Sequence, residues 1–356
     1  MSSDSSDLPQ ADPQGKKLTN DELKRLEKVD LHRHLEGSLR LSTLLELAPK
    51  VGLDVPMSPQ TQAKKFLVTE QMKDLTTVLE KFWMTQAVLS SEEILTRVTY
   101  EAIEDAYLEG IRILELRYAP SFIQKNHEFL SYQQIHQAIK KGVKLAEKFP
   151  LAVGLICILQ RTLPLEVGSR IGRFAIDNKD SFVGIDLADD EDAVPAREFE
   201  KIFVEARAAG LPITIHAGES NSAMAPLNVI DAIEILGAQR IGHGVQITKN
   251  PKALHLVREK NVPLELCVTS NWLTNAVGNL DEHPFKKLMH AGVLTTINSD
   301  DPGIFGINLT NEYHLLHHRY GLTLADFNRC NDIAAQASFI PLIKRQKYWP
   351  RPIHKI

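Results

Sequence analysis

The sequence has few cysteines, and none of them is placed to act with another. Cys157, Cys267 and Cys330 are the only three in 356 residues, lie far apart, and form no Cys-x-x-Cys motif. A disulfide framework and a zinc site built from cysteine pairs are therefore excluded as organising features. We expect free, buried thiols in a reducing compartment, which makes the cytoplasm the default location.

Long apolar runs and an excess of positive charge are also missing. No run approaches the roughly 20 apolar residues that cross a bilayer, and residues 1–17 contain no apolar segment of the secretory type. Lysine and arginine number 41 against 45 acidic residues, a formal net charge of -4. We therefore expect no electrostatic binding to nucleic acid or to an anionic membrane.

What remains is the composition of a soluble globular protein, with 43% hydrophobic and 24% charged residues. Residues 1–20 are rich in Ser, Asp, Pro, Gln and Gly, which predicts a flexible N-terminal tail. Residues 21–356 are predicted to form a single domain, because α/β barrels of this size fold as one unit.

Within that domain, short apolar or β-branched runs alternate with longer amphipathic stretches. Helices are predicted between the strands, for example at 91–109, 132–148, 197–209 and 227–236. The predicted strands are residues 29–34, 111–117, 151–159, 182–187, 212–216, 240–243, 263–267 and 294–298.

This alternation predicts an α/β fold in which eight parallel strands close into a (β/α)8 TIM barrel. An open doubly wound sheet is the alternative, but no Gly-rich phosphate motif follows the first strand. The longest insertion, residues 40–90, follows the first strand and has a helical pattern. Its apolar stripe of Leu75, Val78, Leu79 and Phe82 fits either core packing or a lid over the barrel mouth.

Polar residues gather where the predicted strands end. In residues 29–37, Val-Asp-Leu-His-Arg-His-Leu-Glu-Gly, His32 and His34 project to the same face of a strand. Taken alone, this pair fits a metal site and incidental packing equally well. Three later segments favour the metal site because barrel enzymes place their chemistry at this end. They are His-Ala-Gly-Glu at 216–219, Arg-Ile-Gly-His-Gly at 240–244 and Ser-Asp-Asp-Pro at 299–302.

Metal coordination then suggests a role for each residue. His32, His34 and His216 supply three nitrogens and Asp300 one oxygen, which leaves a position for water as in catalytic zinc sites. Such a zinc ion would lower the pKa of its water from about 15.7 towards 7. The remaining candidates are Glu219 as a proton donor to a substrate nitrogen, His243 to orient the nucleophile, and Asp301 to bond a ring nitrogen.

Together these motifs resemble those of the adenosine deaminase family of amidohydrolase barrels. His-x-His-Leu-Glu-Gly, His-Ala-Gly-Glu, Arg-Ile-Gly-His-Gly, Thr-Ser-Asn at 269–271 and Ser-Asp-Asp-Pro occur in the family's order. Segments 116–120 and 184–188 also match, so the resemblance covers all but the tail. It implies zinc-dependent deamination of adenosine and 2′-deoxyadenosine to inosine and ammonia in purine salvage, with one Zn²⁺ per chain.

The resemblance also implies a mechanism. Glu219 would protonate N1 of the purine while activated water attacks C6. His243 would position that water and, with Asp300, help to deprotonate it, and Asp301 would hydrogen-bond N7. The implied zinc ligands are His32, His34, His216 and Asp300.

Substrate contacts are implied by the same resemblance. They are His34, Glu36, Asp189, Asp301, Leu79 and Phe82. Glu36 matches the position that reaches the ribose 5′-hydroxyl, and the stripe containing Leu79 and Phe82 resembles the family's hydrophobic lid. Asp189 is a departure, because the family usually has Gly there. Its added carboxylate is expected to affect the edge of the pocket near purine N3, and with it the preferred substrate.

Other functions stay open. Adenine deaminases share the ligand set, but Gly242 favours a nucleoside enzyme because adenine enzymes resemble Arg-Ile-Asp-His-Gly at this motif. A deaminase of a modified adenosine, such as aminofutalosine or an N6-methylated nucleotide, is a second alternative. A two-metal amidohydrolase is disfavoured because residues 182–187 contain no bridging lysine. A barrel that only binds a ligand would need none of the catalytic residues. The expected partners are a small aminopurine nucleoside and water.

Overall fold

Eight parallel strands form the centre of the protein in the computed structural model, which describes residues 17–73 and 75–354 without the side chains of 75–77, 79 and 80. Each strand is largely buried, as expected where helices cover a parallel sheet. The strands are β1 (Lys28–His34), β2 (Ile111–Tyr118), β3 (Ala152–Gln160), β4 (Phe182–Ala188), β5 (Thr214–Ala217), β6 (Arg240–His243), β7 (Leu264–Leu266) and β8 (Thr295–Ile297).

Helices connect the strands and surround them. Five short 3-10 helices in the described residues, Ala48–Val51, Ala146–Lys148, Ala196–Phe199, Val245–Lys249 and Leu280–Glu282, supplement the α-helices. The α-helices are α1 (Asn20–Arg25), α2 (Leu41–Leu47), α3 (Pro59–Phe66), α4 (Leu75–Val88), α5 (Glu92–Leu108), α6 (Pro120–Gln124), α7 (Tyr132–Leu145), α8 (Leu165–Asp177), α9 (Glu200–Ala208), α10 (Ala225–Glu234), α11 (Pro251–Glu259), α12 (Val268–Leu273), α13 (Phe285–His290), α14 (Pro302–Phe305), α15 (Leu309–Tyr320), α16 (Leu324–Ala337) and α17 (Leu342–Tyr348).

The strands pair in chain order as two parallel sheets, β1 to β4 and β5 to β8. Backbone hydrogen bonds close both gaps between the sheets. Between β4 and β5, Ile185 N–H donates to the carbonyl of Pro212 at 2.9 Å. Beyond β8, Asp300 N–H donates to the carbonyl of His32 at 2.8 Å, and His34 N–H donates to the carbonyl of Asp300 at 2.9 Å. The predicted (β/α)8 barrel is therefore confirmed.

Local sequence explains most of the element boundaries. Gly210 and Gly292 adopt φ of 86° and 81°, values in the left-handed region, and so end the turns after α9 and α13 just before a strand. Strand β5 begins at Thr214, two residues after the predicted start, and the preceding Pro212 has no N–H with which to join a ladder. The C-terminal end of the predicted 132–148 helix is a 3-10 turn.

The predicted insertion at 40–90 is helical and contains α2, α3 and α4. Val78 and Phe82 of α4 pack against Leu273, Ile304 and Phe305, which follow strands β7 and β8. The described part of the stripe therefore packs at the mouth of the barrel. This position is compatible with both interpretations from the sequence, core packing and a lid. The side chains of the two other stripe residues, Leu75 and Leu79, lie outside the described residues.

The N-terminal helix α1 begins at the last residue of the predicted tail. Thr19 caps it by accepting a hydrogen bond from Glu22 N–H, and Leu18 N–H donates to His317 Nε2 at 2.9 Å. Residues 1–16 of the tail lie outside the described residues. The helices that the structure describes are all too short or too polar to cross a membrane.

Buried ion pairs cross the interior of the barrel. Arg240 contacts Glu115 at 2.6 Å and Glu265 at 2.5 Å, and all three side chains are almost fully buried. Arg117 contacts Glu265 and Asp186, each at 2.7 Å. Removing one member of such a group leaves a buried charge without compensation, so each depends on the others.

We therefore expect Arg240→Met to lower the free energy of unfolding by about 3–5 kcal/mol, since Glu115 and Glu265 would stay buried without this cation. The matched control is Arg173→Met, whose partner Glu205 lies 3.3 Å away and is exposed. That change should cost less than about 1 kcal/mol. Equal losses for both variants in urea unfolding would contradict the argument.

Candidate active site

The predicted site residues from four strand ends converge at one end of the barrel. His34 Nε2 lies 3.2 Å from His216 Nε2 and 3.2 Å from Asp300 Oδ1. His32 Nε2 lies 3.4 Å from the same carboxylate oxygen. One atom from each of these four residues lies within 4.8 Å of one atom from each of the others. The structure thus brings the predicted ligands together, although they are separated by up to 268 positions in the chain.

This cluster fits a metal ion. Nε2 of His32 is fully buried and has no hydrogen-bond partner among the described residues. A buried nitrogen without a partner is unfavourable, unless a bound ion or water contacts it. Three imidazole nitrogens and one carboxylate oxygen are the donor set that suits zinc with one position left open. The arrangement is therefore that of a site able to hold one such ion.

Two buried carboxylates orient the histidines. His32 Nδ1 lies 2.7 Å from Glu265, and His216 Nδ1 lies 3.0 Å from Asp186. Burial alone would raise the pKa of the Glu265 carboxyl. The Arg117 guanidinium helps to hold that pKa well below its usual range. For Asp186, His216 and Arg117 overcome the effect of burial and likewise lower the pKa. Ionised carboxylates keep the Nδ1 protons in place and leave the Nε2 lone pairs free for a metal.

Glu265 was not among the predicted site residues, and Asp186 was noted only as part of a matching motif. The available signal was an acidic residue inside an apolar strand, as in Leu264-Glu265-Leu266 and Ile185-Asp186-Leu187. Strand alternation places such a residue in the barrel interior, where it needs a partner. The sequence does not indicate which partner that is.

Glu219 lies beside the cluster and faces His243. Its Oε2 is 3.5 Å from His243 Nε2, and Thr274 Oγ1 donates to its Oε1 at 3.3 Å. Burial and the neighbouring Asp300 carboxylate raise the pKa of the Glu219 carboxyl to about 8. Glu219 therefore carries a proton at neutral pH and can donate it.

The loop that carries Glu219 is anchored by a residue the sequence analysis missed. The carboxylate of Glu191 accepts hydrogen bonds from the backbone N–H groups of Gly218, Glu219 and Ser220, at 2.9, 2.7 and 2.7 Å. Three donors on one buried carboxylate hold the loop in a single conformation. No short motif marks Glu191 in the sequence.

Two further predicted residues each have a carboxyl oxygen without a hydrogen-bond partner among the described residues. Asp301 Oδ1 and Glu36 Oε2 are buried and have no hydrogen-bond partner among the described residues. Burial, with the adjacent Asp300, raises the pKa of Asp301 well above its usual value, and burial raises the pKa of Glu36 to about 7. Gly37 makes room for Asp301, because a Cβ there would lie 1.8 Å from Asp301 Oδ1.

Asp189 adopts φ of 85°, in the left-handed region that favours glycine. Its carboxylate is engaged locally, with Thr162 Oγ1 and with Asp190 N–H, the latter at 2.9 Å. The prediction that Asp189 departs from a glycine position therefore agrees with its backbone. Its effect on substrate preference stays a prediction.

A cavity of about 580 Å³ joins these groups, a size typical of small-molecule sites. Apolar side chains from the insertion and from α6, including Phe82, Trp83 and Phe122, form its outer wall. His32 is not one of the residues that line the cavity, and the side chain of Leu79 is outside the described residues. The predicted residues that line the cavity are His34, Glu36, Phe82, Asp189, His216, Glu219, His243, Asp300 and Asp301.

Fold and site together define a hydrolase of the amidohydrolase TIM-barrel class. A sequence model of the family described as "Adenosine deaminase" matches residues 27–350. The adenosine deaminase of Yersinia enterocolitica is 35% identical over 324 residues, 90% of this chain and 96% of that protein. The Plasmodium falciparum adenosine deaminase is 35% identical, covering 91% of this chain and 88% of that protein. The chain belongs to the adenosine deaminase family, which confirms the predicted resemblance and enzyme class.

Solved structures show the same fold. An N6-methyl-AMP deaminase from Arabidopsis thaliana superimposes with a TM-score of 0.79 and 26% identity, over 92% of this chain and 97% of that one. An adenine deaminase from Arthrobacter aurescens has a TM-score of 0.82 at 23% identity, over 90% and 96% of the two chains. The names of these two neighbours refer to different aminopurines, adenine and N6-methyl-AMP.

We expect Glu265→Gln to weaken metal binding by about 10–100-fold, because a neutral amide no longer holds the Nδ1 proton of His32 as firmly. The measurement is zinc affinity by competition with a chelator. Glu115→Gln is the matched control, since Glu115 is equally buried in the same ion-pair network but contacts no histidine of the cluster. An equal loss of affinity in both variants would show that Glu265 acts only through stability.

Proposed function

We propose that this chain catalyses the zinc-dependent hydrolytic deamination of adenosine and 2′-deoxyadenosine to inosine or 2′-deoxyinosine and ammonia. The observation that carries the proposal is the position of Glu219, a carboxyl group protonated at neutral pH, beside the cluster of three histidines and Asp300. Addition of water to an amidine carbon requires a proton donor next to a site that can activate water.

One zinc ion would be held by His32, His34, His216 and Asp300, and when bound it supplies a Lewis acid that makes water acidic enough to act at neutral pH. Glu219 donates its proton to N1 of the purine, which makes C6 more electrophilic. Water adds at C6 and loses a proton to a neighbouring base, for which Asp300 is the candidate. The C6 amino group takes the proton held by this base and leaves as ammonia, and the C6 hydroxyl gives its proton to the Glu219 carboxylate as the carbonyl forms. One water is thus consumed for each ammonia released, and both carboxyl groups return to their starting states.

The other carboxyl groups orient the substrate. N7 of a purine can only accept a hydrogen bond, so its partner must donate one. Burial and the adjacent Asp300 carboxylate raise the pKa of Asp301 well above its usual value, which favours the protonated form of this carboxyl that can donate to N7. Glu36 has a free Oε2 in the cavity, while its Oε1 accepts from Ala119 N–H at 2.7 Å, and it is the candidate partner of the ribose 5′-hydroxyl.

The apolar wall excludes water from the ring. Val78 and Phe82 of α4 and Phe122 of α6 line the cavity opposite the polar floor. Since a drier site strengthens hydrogen bonds to the purine nitrogens, we assign these side chains the role of a hydrophobic cover.

Glu219→Gln should leave zinc content unchanged but lower kcat by about 10²–10⁴-fold, because glutamine cannot supply the proton for N1. Turnover is measured by ammonia release, and metal content by elemental analysis of the same sample. Glu234→Gln, an exposed position on α10, serves as the control and should keep wild-type turnover. Retained turnover in Glu219→Gln would refute the proton-donor role.

A substrate panel tests which aminopurine is preferred. We expect kcat/KM for adenosine and 2′-deoxyadenosine to exceed that for adenine, AMP, N6-methyl-AMP and aminofutalosine by about tenfold or more, a difference of some 1.4 kcal/mol in transition-state binding. Gly242 supports this choice through the family resemblance, because adenine deaminases resemble Arg-Ile-Asp-His-Gly at this motif whereas this chain has Arg-Ile-Gly-His-Gly. Release of ammonia from adenine or a modified nucleotide, with none from adenosine, would contradict the proposal and identify the alternative.

A further inference from the structure

Two buried side chains, Asn271 and His283, form a chain of hydrogen bonds behind His243. Asn271 Nδ2 lies 3.0 Å from His243 Nδ1, and Asn271 Oδ1 lies 3.1 Å from His283 Nε2. The backbone N–H of Phe285 completes the chain at 3.2 Å from His283 Nδ1. His243, Asn271 and His283 are 1%, 0% and 4% exposed, so water cannot replace these partners readily.

The donor-to-acceptor direction of these hydrogen bonds is set by the one farthest from His243, between Phe285 and His283. A backbone N–H can only donate, so His283 Nδ1 must accept the hydrogen bond from Phe285. Burial lowers the pKa of His283 to about 3, and the ring is therefore neutral. A neutral imidazole that accepts at Nδ1 carries its proton on Nε2. His283 Nε2 thus donates to Asn271 Oδ1.

The amide of Asn271 transmits this direction to His243. With its oxygen facing His283, the amide presents its NH₂ group to His243 Nδ1. The reverse amide orientation would place two donors against each other at His283 and leave buried polar groups without partners, which is unfavourable. His243 Nδ1 therefore accepts a hydrogen bond, and the proton of its neutral ring is on Nε2.

We propose that Asn271 and His283 are positioning residues that hold His243 as the Nε2–H tautomer, so that its ring donates a hydrogen bond into the active site. His243 Nε2 faces Glu219 Oε2 at 3.5 Å and Asp300 Oδ2 at 3.9 Å. A nitrogen that already carries a proton cannot take one from water. His243 orients and stabilises the nucleophile, and proton abstraction falls to Asp300.

Neither positioning residue lines the cavity. Ser270 and Thr274 line the cavity, whereas Asn271 between them points away from it towards His283, which lies beyond the 3-10 helix Leu280–Glu282. The effect on catalysis therefore passes through the tautomer of His243 alone. This role rests on the proposed function, but the tautomer itself can be measured without turnover.

The direct test is ¹⁵N NMR of the zinc-loaded full chain labelled at histidine. Comparison with His243→Gln assigns the ring of His243 among the 13 histidines. We expect a protonated Nε2 and an unprotonated Nδ1 in the wild type. A protonated Nδ1 in the wild type overturns the proposal, whatever the variants do. Because the shifts need no substrate, they decide the proposal even if no 6-aminopurine is deaminated.

Asn271→Asp replaces the amide donor that faces His243 Nδ1 with an acceptor oxygen, and it changes the shape of the side chain little. Its carboxylate would accept from His243, so we expect the proton to move to Nδ1. If deamination is the activity, kcat should fall by up to about 10⁴-fold, the loss seen when a catalytic histidine is held in the wrong tautomer. KM should stay close to wild type. An unchanged tautomer in this variant overturns the proposal.

His283 is tested by a pair of substitutions. His283→Phe removes the donor to Asn271 and should give a mixture of the two His243 tautomers with lower kcat. His283→Gln keeps a side-chain N–H and should restore part of the Nε2–H population and of kcat. His290→Phe, an exposed histidine of the same segment, is the matched control. A wild-type tautomer in His283→Phe would overturn the role of His283.

Discussion

The whole site depends on the compensation of charges buried inside the barrel. Arg117 lies between Glu265 and Asp186, and each of these carboxylates holds a histidine of the metal cluster by its Nδ1. Without the guanidinium, Asp186 would lose its buried arginine partner and Glu265 would keep only Arg240, and breaking such a buried pair costs several kcal/mol. The same ion pairs that stabilise the barrel interior therefore determine the orientation of the imidazoles. Stability and metal binding have one physical origin here.

Strained backbone at the strand ends serves the same geometry. His243 and Asp300 adopt φ of 62° and 61°, in the left-handed region that residues with a Cβ occupy at a cost of about 1–2 kcal/mol. His243 is the last residue of β6 and Asp300 follows the end of β8, and both side chains line the cavity at the barrel mouth. Asp300 is held there by two backbone hydrogen bonds to β1, which also close the barrel. The rigid scaffold supports a conformation that an isolated loop would not keep.

The chemistry of the cavity follows from carboxyl groups in different surroundings. Glu265 and Asp186 are paired with Arg117, so they stay ionised and orient ligands. Glu219 and Asp301 are buried without such a cation, so their pKa values rise and they can donate protons. Burial is the first cause of the raised pKa values of Glu219 and Asp301, and apolar side chains of the insertion line the same cavity as these two carboxyl groups.

The sequence by itself determined the barrel and the candidates for metal ligand and proton donor, because each is encoded in a strand and the few residues after it. Alternation places His32 and His34 on one face, and strand ends in a parallel barrel meet at one rim. Only the tertiary structure decided the partners behind them. The bond from His32 to Glu265 joins residues 233 positions apart, and the Asn271–His283 contact depends on how a loop packs after β7. Such pairings depend on packing between distant segments, which local sequence patterns do not encode.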